Sequence, residues 1–154
     1  DLNIIVDTSH LNEKGFWDVA KNSIHPLVAT HSNVHAICPH TRNLTDRQLD
    51  AIKDTKGMVG VNFAPAFLRK DGKMLSDTNI QLIADHFKYL IEYLGEDHVG
   101  FGSDFDGAMM PKDLRSVLGM SKLTQLLIDQ GFNDSLMHKI YHQNWLETIN
   151  RILK

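Results

Sequence analysis

Four short, nearly unbroken apolar runs punctuate this chain, at residues 3–7, 27–30, 58–63 and 98–102, and a segment of helical period follows each one. Runs this short and continuous are what strands look like when both faces are covered, as in a parallel sheet with helical crossovers. The alternation therefore reads as four βα units. Helices are expected over residues 12–21, 45–54 and 77–94, and after the fourth strand over 122–130 and 134–153. Thr45 and Gln48 stand in the spacing of a capping box, which satisfies free amides at a helix start. The 77–94 segment sets Ile80, Ile83, Ala84, Phe87, Leu90, Ile91 and Leu94 on one stripe, with Gly95 as its stop.

Three of the runs end in the same way. "IIVDTSH" finishes on Asp7, Thr8, Ser9 and His10, "LVATHSN" on Thr30, His31, Ser32 and Asn33, and "VGFGSDFDG" on Ser103, Asp104 and Asp106. Strands that each hand a ligand-capable side chain to the following loop imply one shared site at the carboxyl edge of the sheet, where α/β proteins keep their chemistry.

A length of 154 residues, with 42% hydrophobic and 23% charged content, is enough for one core of ordinary size. The formal charge of -3, without a basic run, gives no reason to expect nucleic acid or an anionic membrane as a partner. No apolar run approaches the roughly 20 residues that span a bilayer, and the first residues lack the pattern of a secretory signal, so a cytoplasmic location is the expectation. Cys38 is the single cysteine, which excludes an intrachain disulfide, and it reads as a small buried thiol and not a nucleophile.

A (β/α)₈ barrel uses roughly 30 residues per unit, about 250 in all. Four units thus correspond to half of a TIM-type barrel, or to a small open α/β domain. The chain opens directly on a strand and ends on a long amphipathic helix, which favours the half barrel, residues 1–154 forming a single unit. Neither G-x-G-x-x-G nor G-x-x-x-x-G-K-[ST] occurs, so nothing marks a nucleotide fold.

The segments "DTSHLNEKGFWDV", "PLVATHSNVHAICPHTRNLTDRQLDAI", "GMVGVNF" and "HVGFGSDFDG" resemble, in this order and spacing, the second half of the renal or membrane dipeptidase family, zinc dipeptidases of the amidohydrolase superfamily. The resemblance implies a TIM-type barrel whose last four βα units are present here, two zinc ions at the carboxyl ends of its strands, and hydrolysis of dipeptides. His10 and His31 resemble the two histidines that bind one zinc, Asp104 the aspartate at the bridging water, and Arg42 the residue that grips the substrate carboxylate. The physical chemistry agrees. Two imidazoles at the same end of adjacent strands can converge on one ion, an aspartate can take the proton of a water that the metal acidifies, and a guanidinium fork suits a free carboxylate.

Family members also carry a His-x-Asp pair on the first strand and a bridging glutamate on a middle strand, and no His-x-Asp occurs in these residues. His10, His31 and Asp104 are then an incomplete binuclear site, and the expectation is a fragment that binds metal weakly and is inactive alone. It should form a homo-oligomer or pair with the absent amino-terminal half. Two alternatives remain: a non-catalytic α/β binding module, and a related amidohydrolase acting on another small amide. Among the other candidates, Asp7 reads as a strand-end hydrogen-bonding residue and Asp106 as a turn residue. His25, His35, His40, His98, His138 and His142 read as structural, with His40 set apart by its closeness to Arg42.

Overall fold

The computed structural model describes residues 4–153. Three short strands, β1 (Val28–Ala29), β2 (Met58–Val61) and β3 (Val99–Phe101), form a parallel sheet in the order β1-β2-β3. Val28 pairs with Met58, and Val59 with Val99, so neighbours in sequence are neighbours in the sheet. A doubly wound sheet would reverse this order at a switch point. All four residues of β2 are buried, which is why its sequence is an unbroken apolar run.

The expected first strand, 3–7, is a correction. Residue 3 lies outside the described residues, residues 4–6 form no ladder, and only Asp7 bridges to Val28. The physical reason is one-sided exposure. Ile4 is 62% and Val6 49% accessible, so among the described residues no neighbouring strand completes that edge. Thr8 extends the pairing by one step, its amide and hydroxyl both donating to Val28 O. The other strands are shorter than their apolar runs because side chains take over the hydrogen bonding. Beyond β2 the Asn62 amide donates to Asn33 Oδ1 at 3.0 Å, and Asn33 Nδ2 returns a bond to Asn62 O at 2.9 Å.

The helices follow the sequence closely. In α1 (Glu13–Asn22) the Asn12 side chain accepts from the Gly15 amide. Before α2 (Asp46–Asp54) Gln48 Oε1 accepts from the Thr45 amide at 2.9 Å, while the Thr45 hydroxyl turns to the same oxygen at 3.0 Å. A four-residue helix that the hydrophobic pattern does not announce, α3 (Pro65–Leu68), starts on a proline, which needs no amide partner there. The expected 77–94 helix, α4, begins four residues later, at Gln81–Leu94, because Asn79 caps the Gln81 amide at 2.8 Å. Of its stripe Ile83, Ala84, Phe87, Leu90 and Leu94 are buried, Ile80 and Ile91 are partly buried, and Gly95 ends the helix at φ 95.

After β3, α5 (Met120–Asp129) precedes a helical segment that differs from the continuous 134–153 expected. It divides into α6 (Asp134–His138), a π turn (Lys139–Gln143) and α7 (Asn144–Leu153). The wider turn brings the buried Asn144 round to donate to both Glu96 O and Val99 O, fastening the segment to the root of β3.

Val59, Val61 and Val99 share the main core with Phe16, Leu49, Ile83, Phe87, Leu90 and Leu123 from the helices. Val28 and Met58 instead meet Ile152 of α7, with Ile5 and Trp145 against them. Both sheet faces are thus covered. Gly60 permits one close approach that matters for the site, since a Cβ there would lie 2.0 Å from Thr30 O. Among the described residues no helix is long and apolar enough to cross a membrane.

Candidate metal centre

The loops that leave the carboxyl ends of the strands meet as the sequence leads one to expect. His10 follows the Asp7 bridge, His31 lies two residues beyond β1, Asp104 three residues beyond β3, and Arg42 lies in the loop between β1 and α2. His10 and Asp104 both hold left-handed backbone, at φ 70 and φ 61. Such conformations are uncommon outside glycine and cluster at functional sites.

The two histidines converge. Their Nε2 atoms stand 2.8 Å apart, with ring centroids 4.8 Å apart and planes tilted by 55°. Two ligands on a tetrahedral zinc at about 2.0–2.1 Å would be separated by about 3.3 Å. A separation of roughly half an ångström would admit an ion, and both nitrogens already face the space between them, so the donor set fits zinc. Among the described residues no three His, Cys, Asp or Glu side chains form a group that could hold an ion. Two imidazole nitrogens alone do not complete a tetrahedral site.

Behind His31 runs a chain of hydrogen bonds. Its Nδ1 is 2.7 Å from Thr30 Oγ1, which donates to Asp7 Oδ2 at 2.5 Å, while Asp7 Oδ1 accepts from the amides of Ser9 and Thr30. The His31 amide donates to Ser9 Oγ at 3.0 Å, and Ser9 Oγ meets Ser32 Oγ at 3.1 Å. Burial works to raise the Asp7 pKa, but the bonds from Thr30 and Ser9 outweigh it and hold the carboxyl below its ordinary value. Burial lowers the pKa of His31, the charges of Asp104 and Asp7 work against this, and those of Arg42 and His10 add to it. Burial thus works in favour of the neutral imidazole.

Asp104 accepts from Asn62 Nδ2 at 3.0 Å, and Asn62 is in turn fixed by its amide on Asn33 Oδ1 and by its Oδ1 accepting from the Ala64 amide. Arg42 reaches toward the same region. Burial lowers its pKa, and Asp104 and Asp7 oppose the shift. Its guanidinium carbon lies 5.3 Å from the centre of the Phe67 ring, and its buried Nη2 has no hydrogen-bond partner among the described residues. A buried guanidinium nitrogen left without an acceptor is costly, and a ligand carboxylate would satisfy it.

The remaining candidates fall into place. Asp7 is a strand-end hydrogen-bonding residue, Asp106 is exposed in a turn, and Cys38 is buried with its thiol pKa pushed up. His40 does bear on Arg42, its Nδ1 accepting the Arg42 amide at 3.1 Å while its ring packs on Phe67. Sequence reasoning missed Thr30, Ser9 and Asn62 as supports of the site. Thr30 and Ser9 stood inside the strand-end motifs, whereas Asn62 was hidden in an apolar run. His86 was passed over as well. It is fully buried, and its Nδ1 accepts from the Val34 amide.

Residues 1–153 match the membrane dipeptidase family, peptidase family M19. An uncharacterised protein from the pqqA 5' region of Klebsiella pneumoniae is 50% identical over 151 residues, covering 98% of this chain and 56% of that protein. Dipeptidase tcpJ of Claviceps purpurea (strain 20.1) is 30% identical over 154 residues, covering 98% and 35%. The crystal structure of a metallo peptidase from Rhodobacter sphaeroides, liganded with a phosphinate mimic of the dipeptide L-Ala-D-Ala, superposes with a TM-score of 0.95 at 51% identity, over 97% of this chain and 43% of that one. The chain therefore spans less than two thirds of the length of these relatives. By its sequence and by its fold, this chain belongs to the membrane dipeptidase family, M19.

Proposed function

We propose that this chain forms the last four βα units of a TIM-type barrel and contributes one half of the active site of a zinc-dependent dipeptidase. The observation that carries the reading is the convergence of the His10 and His31 Nε2 atoms, 2.8 Å apart, from two strand ends. The family supports it, as does the dipeptide mimic held by the Rhodobacter relative.

In this reading His10 and His31 hold one metal ion through Nε2, and the other ligands come from the rest of the barrel. Bound there, zinc would supply Lewis acidity, bringing the pKa of a water toward about 7 and polarising the scissile carbonyl. Asp104, aimed by its strained backbone and by Asn62, accepts the proton of the attacking water and returns it to the leaving amine. Arg42 offers its unpaired Nη2 to the terminal carboxylate of the substrate, so that the scissile bond of a dipeptide lies one residue from the anchor.

The experiment is complementation. This chain is co-expressed with the amino-terminal part of the Rhodobacter peptidase, and the complex is assayed for zinc content and for hydrolysis of L-Ala-D-Ala. Turnover that needs both halves and disappears with Asp104→Asn is the expected result. A folded complex that binds zinc yet cleaves no dipeptide would favour the binding-module alternative.

A further inference from the structure

Metal-ligating histidines are generally oriented by a hydrogen-bond acceptor at the other ring nitrogen, and the identity of that acceptor decides which nitrogen is free for the metal. Beside His31 the acceptor has to be worked out, because Nδ1 faces a hydroxyl, which can donate or accept.

The donors can be counted. Asp7 is held as a carboxylate by the amides of Ser9 and Thr30 on Oδ1, at 3.0 and 2.9 Å, and so cannot donate. Its Oδ2 lies 2.5 Å from Thr30 Oγ1, the length of a charge-assisted bond, and the single hydroxyl proton of Thr30 must lie in it. The oxygen of Thr30 is left with lone pairs only. His31 Nδ1, at 2.7 Å from that oxygen, is obliged to carry a proton and donate it. Direct contact with the carboxylate is not the link, since His31 Nδ1 and Asp7 Oδ2 are 3.9 Å apart.

We propose that Asp7 and Thr30 are positioning residues that lock His31 as the Nδ1–H tautomer, presenting the bare lone pair of Nε2 to the metal through a carboxylate–hydroxyl–imidazole chain. The metal clause rests on the reading of His31 as a ligand; the tautomer does not. His10 follows from the same count. Its Nε2 lies 2.8 Å from the lone pair of His31 Nε2, so it carries the proton between them. The backbone bond from the His31 amide to Ser9 Oγ holds the ring at the end of this chain.

The test reads the tautomer without any metal. Long-range ¹H–¹⁵N spectra of the histidine rings are recorded on this chain at pH 8, with His31 assigned by the signals that vanish in His31→Gln. Wild type should show His31 protonated at Nδ1 and bare at Nε2. Thr30→Ser should keep that pattern, and Thr30→Val should lose it in favour of a mixture or of the Nε2–H form. If Thr30→Val fails to give a folded amide spectrum, Asp7→Asn interrogates the same link from the carboxylate end. In parallel, zinc affinity is measured on the complex with the amino-terminal part, by competition with a chromophoric chelator. Thr30→Val should weaken it by about 10–100-fold, and Thr30→Ser should restore it to within a few-fold of wild type. A wild-type His31 protonated at Nε2, or a Thr30→Val spectrum indistinguishable from wild type, overturns the proposal. The expected tautomers together with a zinc affinity of the complemented complex that His31→Gln leaves unchanged would overturn the ligand reading of His31 and leave the locked ring standing.

Discussion

Asp104 and Arg42 are separable by kinetics, because one handles a proton and the other a charge. In the complemented enzyme Asp104→Asn keeps the shape and the hydrogen-bonding partner Asn62 but removes the acceptor for the water's proton, so kcat should fall by about 10²–10⁴ with KM little changed. Arg42→Ala should act on dipeptides bearing a free carboxylate, costing about 2–5 kcal/mol in kcat/KM, with a much smaller loss on substrates amidated at that end. Arg42→Lys should recover only part of it, since an ammonium lacks the planar fork and its contact with Phe67. Steady-state kinetics on the paired substrates checks all three. Equal losses on both substrates for Arg42→Ala would remove Arg42 from the substrate site.

At the scale of the elements, α4 carries a built-in sensitivity to acid. His86, wholly buried on this helix, accepts the Val34 amide at Nδ1 and faces Leu68 O with Nε2 at 3.3 Å, tying the helix to the loop of Arg42 and to the end of α3. Burial lowers its pKa to about 4, the Leu68 bond and Asp85 resisting. The folded protein therefore keeps His86 neutral where the unfolded chain, with its ordinary value near 6.5, has taken up a proton. The unfolded state binds more protons between these values, so this contribution is fully present above about pH 6.5 and is lost as the pH falls toward 4. Its full extent is about 3 kcal/mol. Urea midpoints measured from pH 7.5 to 4.5 should drop for wild type and drop less for His86→Gln. Parallel curves for the two proteins would show that His86 does not carry the acid sensitivity.

On the scale of the whole molecule, the edge before β1 is where association is expected. Ile4, Val6 and the 81% accessible Ile24 line or border a groove of about 660 Å³ that also takes in Val19, Leu27 and Ile152. Contiguous apolar surface beside an unfinished strand edge drives association. Sedimentation at micromolar concentration should therefore show a dimer or larger species, and Val6→Lys with Ile24→Glu should shift it toward monomer. In the complementation experiment the same pair of substitutions should weaken binding of the amino-terminal part. A wild type that stays monomeric would mean that this surface is tolerated in water.

Sequence alone determined what repeats locally. The apolar runs of β1, β2 and β3, the stripe and glycine stop of α4, and the polar strand ends that carry His10, His31 and Asp104 are each written in consecutive residues, because helix and strand periods act over a few positions. Tertiary structure decided what depends on neighbours. Residues 4–6 read as a strand as plainly as 58–61, yet a strand exists only where another pairs with it, and theirs pairs at Asp7 alone. Asn62 looked like an interruption in an apolar run until its side chain met Asp104, 42 residues away, and its backbone amide met the Asn33 side chain, 29 residues away. The histidine pair itself was legible as two strand-end residues. The 2.8 Å between their nitrogens was not, because it is set by the sheet register, by the close approach that Gly60 allows, and by a hydrogen-bond chain spanning 23 residues from Asp7 to Thr30.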